Sequence, residues 1–199
     1  MSYKEYATAI LALKAKDDAL RERLIQEGTL WDGYHPKMRA LHNENIQAFQ
    51  ALMDDYGFPG ISKVGKEAYE AAFIIVQHAI DHPNILKAFA EDLHAAAKQG
   101  DAMMLHVAYL VDRIAVFEGT PQVYGTQFDW DEAGQMSPIG VIDFDAVNVK
   151  RKALGILPMD AQIKKMRDHA EKTGQKPPKN NQEKQAAYLA WLKEVGWRT

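Results

Sequence analysis

The stretch over residues 103–117, MMLHVAYLVDRIAVF, constrains the fold more than any other part of the sequence. Apolar residues surround almost the whole circumference of the helix that it would form, so this helix has no face suited to water. Such a helix must lie at the centre of a packed structure. The sequence therefore predicts a mainly α protein in which other helices surround this one.

Further helices are predicted on both sides of this stretch, where apolar residues recur at helical spacing and Gly or Pro separates the segments. The short junctions DHP and QGD favour antiparallel neighbours. The predicted helices span residues 3–26, 36–56, 66–80, 83–99, 101–117, 145–154, 159–172 and 182–195. The segment GTLWDGYHP is predicted to be the loop between the first two.

A different pattern follows Gly119. The segments PQVYGTQFDW and QMSPIGVID, with DEAG between them, predict a small β-hairpin over about residues 122–142. Because an isolated hairpin is marginal in water, we expect it to dock on the antiparallel helical bundle. The predicted organisation is a single helical domain over 1–173, followed by a basic linker and a carboxyl-terminal amphipathic helix over 174–199. This helix could pack on the same chain or on another subunit, and the length of the linker favours the same chain.

Composition excludes several classes of site. The chain has no cysteine, which rules out disulfides, thiolate metal sites and cysteine nucleophiles. Neither a signal peptide nor a membrane span is evident, so we expect a cytoplasmic protein without a membrane partner. Residues 150–199 carry 12 Lys and Arg against 5 Asp and Glu, but no interleaved aromatic pattern accompanies them. We therefore expect this basic segment to lie on the acidic remainder of the chain and expect no nucleic-acid partner.

The segment GISKVGKE resembles a phosphate-binding loop, but two features argue against that function. Glu67 stands where the motif needs a hydroxyl for magnesium, and the segment follows a helix where the motif needs a strand. The segment is instead predicted to connect two helices.

Charged residues inside the most apolar helix are the first candidates for a site. Asp112 and Arg113 should both have partners, because a buried unpaired charge is costly. One interpretation is that both form internal salt bridges. The other is that Arg113 holds an anionic or carbonyl group of a ligand.

Two further helices carry polar residues on apolar faces. His78, with Gln77 beside it, lies on the apolar face of its helix, and His42 and Asn45 interrupt the apolar stripe of theirs. His78, Asp81 and His82 have the spacing of metal ligands, but Ala79 stands where a metalloprotease has its catalytic Glu and the segment resembles a helix end. We therefore predict no metal and no cofactor. His78 is either a hydrogen-bonded core histidine or a group that acts as an acid–base catalyst or orients a ligand.

Several segments together resemble a bacterial family of uncharacterised proteins, a domain of unknown function. They are GYHPKM, LHNEN, GFPGISKVG, IVQHAI, YLVDRIAVFEG, PQVYGTQF and ALGILPM, which cover roughly residues 12–165. Phe58 departs from the Trp usual in the G(W/F)PG motif, and Ile80 replaces the acidic residue that usually follows QHA. The resemblance implies that the family retains the polar residues of the GYHP, QHA, YLxDR and PQxYGTQ motifs, but it implies no activity.

These observations predict one polar cleft, formed where the hairpin meets the helices that carry His42, His78 and Arg113. The predicted catalytic residues are His78, His42 and Tyr124, and the predicted ligand-binding residues are Arg113, Asp112, Gln77, Asn45, Gln122 and Gln127. The cleft would bind a small polar or anionic ligand, with a hydrolase or transferase as the default reaction class. The alternative is a non-enzymatic interaction or regulatory module whose polar cluster is structural. We expect a monomer or a homodimer.

Overall fold

The structure, a computed structural model, describes residues 2–30 and 34–199, and its mainly helical architecture with one two-stranded antiparallel hairpin confirms the predicted fold class. Its elements in chain order are α1 (Tyr3–Gln26), α2 (Pro36–Tyr56), α3 (Ile61–Val64), α4 (Lys66–His78), α5 (Pro83–Lys98), α6 (Met104–Glu118), β1 (Phe128–Trp130), β2 (Met136–Pro138), α7 (Phe144–Ala153), α8 (Met159–Lys172) and α9 (Asn181–Glu194). The predicted loop over 28–36 includes residues 31–33, which lie outside the described residues. Within the described ranges, no helix has both the length and the apolar character needed to cross a membrane.

Local signals explain why the predicted helix boundaries largely agree with the structure. Ser2 caps α1 through a reciprocal capping box with Glu5, and Pro36 opens α2 behind the cap of His35. Gly57 ends α2 with a φ of 71°, in the left-handed region that favours glycine. The bounds of α1, α2 and α8 are those predicted.

The segment that resembles a phosphate-binding loop connects helices, as predicted, and contains the four-residue helix α3, which was not predicted. The Asp101 carboxylate accepts a hydrogen bond from the Ser62 backbone N–H at 2.6 Å. A Cβ atom at Gly60 would lie 1.9 Å from that carboxylate, so a larger residue at this position would displace the Asp101 side chain. The chain thus fills the start of α3 with its own anion.

The chain divides into two compact units, residues 1–103 and 104–199. In the first unit, α1 packs against α2 and α4. Its fully buried side chains include Tyr6, Ile10, Ile46, Phe49 and Tyr69. The predicted single domain over 1–173 stays a prediction, because compactness alone does not define an independently folding domain.

In the second unit, the carboxyl-terminal segment packs on the end of α6. Phe117 contacts Trp191 and Trp197, with ring centroids 5.4 and 4.9 Å apart. Arg198 donates hydrogen bonds to the last carbonyls of α6, on Val116 and Phe117. A cation at a helix carboxyl terminus also complements the helix dipole.

The hairpin is shorter than predicted. Phe128 pairs with Pro138 and Trp130 with Met136, but residues 122–127 form an irregular loop, so the predicted strand over them is wrong. The physical reason lies in their backbone N–H groups. Those of Val123, Tyr124 and Thr126 donate to the Asp112 carboxylate, so they are not available to a neighbouring strand.

Candidate functional site

The predicted site residues fall in different units. His42, Asn45, Gln77 and His78 belong to residues 1–103, whereas Asp112, Arg113, Gln122, Tyr124 and Gln127 belong to residues 104–199. The single predicted cleft stays a prediction. Each group of residues is organised by contacts within its own unit.

In the first unit, a buried carboxylate joins the two predicted catalytic histidines. One Asp17 oxygen lies 2.6 Å from His78 Nδ1, and the other lies 3.2 Å from His42 Nε2. The two imidazole rings are neighbours, with centroids 4.7 Å apart. The Asp17 and His42 side chains are 3% and 8% exposed, whereas that of His78 is 27% exposed. Of the three, His78 is therefore the one that a solute can reach.

Tyr34 extends this group on the far side of His42. Its hydroxyl lies 2.8 Å from His42 Nδ1. The Tyr34 side chain also packs against the cluster of Leu24, Leu30 and Met38, which holds the phenol in place. Burial, followed by the charge of Asp81, raises the pKa of Tyr34 well above its usual range, so the phenol keeps its proton at neutral pH. We name Asp17, Tyr34, His42 and His78 the carboxylate–histidine cluster.

The charge state of Asp17 is set by opposing effects. Burial raises the pKa of the Asp17 carboxyl, because a low-dielectric environment disfavours the charged form. Hydrogen bonds from His42 and His78, together with the charges of these two groups, outweigh burial and hold the pKa well below its usual range. Asp17 is therefore an ionised acceptor at neutral pH, and it can orient and stabilise two imidazoles at once.

The sequence contained a signal for Asp17 that our prediction missed. The buried residues of α1 include Ile10, Leu13, Asp17 and Leu24, at spacings of three, four and seven positions. Asp17 thus occupies an apolar-stripe position, where an unpaired carboxylate would be costly. Tyr34 gave a weaker signal, because its aromatic ring fits a loop contact as well as a site.

The cluster also has the composition of a metal site. Asp17, His42 and His78 each offer one ligand atom, all within 4.8 Å of one another. Two ligand atoms about 2.1 Å from a tetrahedral ion would lie about 3.4 Å apart. The 2.6 Å between Asp17 and His78 is instead the length of a charge-assisted hydrogen bond. The geometry therefore favours a shared proton network over a metal centre.

Among the described residues, the partners of His78, Asp81 and His82 differ, despite the metal-ligand spacing of the three. Whereas His78 bonds to Asp17, Asp81 accepts from Arg39 and Asn43, and His82 lies 2.9 Å from the Asn43 side-chain oxygen. The difference arises because α4 ends at His78, so Asp81 and His82 leave the helical face.

The other two predicted residues of this unit lie on the same helices. Asn45 is buried and donates to the Leu13 carbonyl at 3.1 Å, which ties α2 to α1. Its side-chain oxygen is buried and accepts no hydrogen bond from the described residues. Gln77 is half-buried on α4 beside His78.

In the second unit, the fully buried Asp112 organises the loop over residues 122–127. Its carboxylate accepts hydrogen bonds from Val123, Tyr124 and Thr126 backbone N–H groups at 2.7, 3.0 and 2.8 Å. We name residues 122–127 the carboxylate-bound loop. The partners of Asp112 in this loop are backbone N–H groups, whereas one interpretation of the sequence was an internal salt bridge.

Gln122 closes the same loop from inside. Its buried side-chain amide accepts from the Gln127 N–H and donates to the Gln127 and Ile139 carbonyls. The Gln127 side chain donates to the Thr126 hydroxyl at 3.0 Å. Gly125 has a φ of 63°, and a Cβ atom there would lie 2.6 Å from Met159 Sδ. A side chain at position 125 would therefore strain the backbone and displace Met159.

The remaining predicted residues of this unit are Tyr124 and Arg113. The half-buried Tyr124 offers its carbonyl to Arg151, and within the described ranges its hydroxyl makes no hydrogen bond. Burial lowers the pKa of Arg113 to about 10, while the charge of Tyr188 opposes the shift. Arg113 therefore remains a cation at neutral pH.

Arg151 is a further residue that the sequence analysis missed. It is only 2% exposed and donates hydrogen bonds to the carbonyls of Tyr124, Gly125 and Leu157. In the sequence it lies within the run KRK, which is typical of a solvated face and so conceals a buried guanidinium.

Comparison with known proteins places the chain in a family but gives it no activity. No curated protein and no solved structure matches the chain. A family model described as a family of unknown function, DUF6624, matches residues 5–173. This range contains the carboxylate–histidine cluster, the carboxylate-bound loop and Arg151, and leaves α9 outside. The chain belongs to this family of unknown function, DUF6624.

Proposed function

We propose that the protein is a hydrolase or transferase acting on a small polar or anionic molecule, with His78 as the group that moves the proton. The observation that carries this proposal is the buried Asp17 carboxylate between His78 and His42. A histidine oriented by a buried carboxylate is the arrangement that general acid–base catalysis needs. The predicted cytoplasmic location and monomeric or homodimeric state stay predictions.

The hydrogen-bond pattern assigns a proton to each ring. Because Asp17 is ionised and only accepts, the nitrogens that face it, His78 Nδ1 and His42 Nε2, carry protons. In neutral His42, Nδ1 is then the acceptor for the Tyr34 hydroxyl. In neutral His78 the lone pair is on Nε2. The His78 imidazole, which carries this lone pair, is more exposed than the imidazole of His42.

The proposed step begins when a water molecule or a substrate hydroxyl attacks an electrophilic carbon or phosphorus atom. His78 Nε2 takes the proton of the attacking oxygen, and Asp17 stabilises the imidazolium that forms. The same proton then passes to the leaving group, whose bond to the electrophilic atom breaks. The step needs no oxidant, reductant or cofactor, because every proton and electron pair is accounted for by the substrate and His78.

The alternative from the sequence, an interaction module with a structural polar cluster, has one observation in its favour. Hydrogen bonds link Tyr34 to His42, His42 to Asp17 and Asp17 to His78, so these side chains satisfy one another inside the protein. Two of them, Asp17 and His42, are almost fully buried. A satisfied internal network of this kind rigidifies a core without doing chemistry. The exposure of His78 favours the enzyme.

Nitrogen-15 NMR on histidine-labelled protein tests the proton assignment. In the neutral form, His78 should show a protonated Nδ1 and an unprotonated Nε2, and Asp17→Asn should abolish this preference. The opposite tautomer in the wild type would contradict the proposal. Stoichiometric Zn²⁺ binding that shifts His78 Nδ1 and His42 Nε2, and that is lost in Asp17→Asn, would assign the cluster to a metal instead.

A screen with chromogenic esters, phosphate monoesters and amides tests catalysis. His78→Gln should lower any activity of the wild type by about 10²–10⁴-fold, the usual contribution of general acid–base catalysis. His94→Gln is the matched control, because His94 is exposed on α5. An equal loss in both variants, or retained activity in His78→Gln, would overturn the role of His78.

A further inference from the structure

A second candidate site lies in the unit of residues 104–199, in a cavity of about 260 Å³. Its polar lining comprises Tyr109, Thr126, Arg151, Gln162 and Lys165. Among the residues that the structure describes, none that lines the cavity is acidic. The described lining is therefore positively charged and contributes no neutralising carboxylate.

Arg151 is the central group of this lining. Its Nε donates to the Leu157 carbonyl, and its Nη1 donates to the Tyr124 and Gly125 carbonyls at 2.7 and 3.2 Å. These bonds fix the plane of the guanidinium but do not cancel its charge. They leave the two N–H groups of Nη2, which make no hydrogen bond to the described residues.

The positive charge of Arg151 is stabilised by nearby groups that form no ion pair with it. Within the described part of the chain, no carboxylate lies within 4.0 Å of its guanidinium. Burial lowers the pKa of Arg151, and the charges of Tyr109 and Asp112 oppose that shift. The Asp112 oxygens are already engaged by three backbone N–H groups. A buried guanidinium that keeps two donors and has no paired carboxylate is suited to an external anion.

The rest of the lining adds donors and an apolar wall. Lys165 is exposed at the cavity and forms no ion pair with the described residues. The Thr126 hydroxyl accepts from Gln127, which leaves its own hydrogen to donate. Leu105, Ile156 and Leu157 form the apolar part. The volume is slightly below the range of about 300–1,000 Å³ typical of ligand pockets, so the ligand is small.

We propose that this cavity binds a small organic anion, whose carboxylate or phosphate group contacts Arg151 and Lys165 and whose apolar body contacts Leu105, Ile156 and Leu157. The site shares no residue with the carboxylate–histidine cluster, and the proposal does not depend on the proposed reaction. The carboxylate-bound loop forms part of this site and is held from both sides. Asp112 binds its backbone N–H groups, and Arg151 binds its carbonyl groups. The loop that carries Thr126 is thereby fixed before a ligand arrives.

Isothermal titration calorimetry with phenyl phosphate, benzoate and inorganic phosphate tests the proposal. We expect at least one of the organic anions to bind at least ten-fold more tightly than inorganic phosphate, because only these two reach the apolar wall. The stronger of the two identifies the oxyanion. Inorganic phosphate binding as tightly as both organic probes, or no binding of any probe at millimolar concentration, would overturn the proposal.

Two neighbouring lysines provide a matched pair of variants. Lys165→Gln should raise the Kd of the stronger probe about five-fold, since Lys165 lines the cavity and is exposed, so the fold is preserved. Lys164→Gln should change the Kd less than two-fold, because Lys164 pairs with Asp168 on the surface and does not line the cavity. Equal effects of the two variants would mean that the anion binds only through the general surface charge.

Arg151→Lys tests the central group while keeping a positive charge. It should raise the Kd at least ten-fold, because an ammonium cannot reproduce the planar fork of donors. Circular dichroism on the same sample shows whether the fold is retained. If Arg151→Lys does not fold, the comparison of Lys165→Gln with Lys164→Gln still tests whether the cavity binds the anion. His78→Gln should leave probe binding unchanged, whereas Lys165→Gln should leave the His78 NMR signals unchanged, so each proposal can fail without the other.

Discussion

The two units each contain a buried aspartate on a helix, but the partners of the two carboxylates differ in kind. Asp17 is held by two imidazoles, which can gain and lose protons. Asp112 is held by three backbone N–H groups, which cannot. The same residue type therefore orients two ionisable side chains in one unit and fixes the backbone of a loop in the other. The burial of a carboxylate alone does not distinguish these two arrangements, whereas the chemical type of its partners does.

The largest effect is expected at Asp112. Asp112→Ala leaves three backbone N–H groups without their acceptor, so it should lower the free energy of unfolding by about 3–5 kcal/mol in urea denaturation. Asp129→Asn is the control, because Asp129 pairs with Lys184 on the surface. A loss below about 1 kcal/mol at Asp112 would mean that the loop does not depend on this carboxylate.

A smaller loss of stability is expected at Asp17, together with loss of the proton assignment at His78. Asp17→Asn keeps one acceptor oxygen but places an N–H₂ group against an imidazole N–H, so it should cost about 1–3 kcal/mol of unfolding free energy. Asp18→Asn, at the neighbouring exposed position, should cost less than about 0.5 kcal/mol. Urea denaturation of the two variants compares them, and equal losses would end the distinction between buried and exposed positions.

The stability contributed by Asp17 should depend on pH. The pKa of Asp17 is lower in the folded protein than the value of about 3.9 expected in the unfolded chain. The ionised carboxylate therefore contributes stability above that value and loses it as pH falls toward the folded pKa. The gap in unfolding free energy between the wild type and Asp17→Asn should narrow from pH 5 to pH 2. Denaturation at a series of pH values measures it, and a gap that widens in this range would contradict the assignment.

The smallest effect is expected at Tyr34. Tyr34→Phe removes one hydrogen bond to His42 and keeps the ring on its apolar cluster, so it should cost about 0.5–1.5 kcal/mol. In NMR it should shift His42 Nδ1 more than either nitrogen of His78. Tyr3→Phe, at an exposed position, is the control. A larger shift at His78 than at His42 would mean that the hydroxyl does not act through His42.

What the sequence determined by itself was local. Apolar spacing with Ser, Pro and Gly at the ends predicted the helices, because these signals act within a few residues of each other. The polar residues in apolar surroundings, His42, His78 and Asp112, could be selected for the same reason, since burial of a polar group requires a partner wherever the partner lies. The same local signals do not specify which residue is the partner.

Contacts between elements of the tertiary structure determine which polar side chains become partners. Asp17 and His78 are 61 positions apart, and only the packing of α1 on α4 brings the carboxylate to the imidazole. Residues 122–127 form a loop where a strand was predicted, because three of their N–H groups donate to Asp112 on α6 and cannot pair with a neighbouring strand. Arg151 was concealed in a basic run because the carbonyls that bury it come from a distant loop and from residues beyond its own helix. Spacing along the chain constrains a residue's neighbours within one element, but the partners that set a pKa, a tautomer or a loop conformation are chosen by contacts between elements.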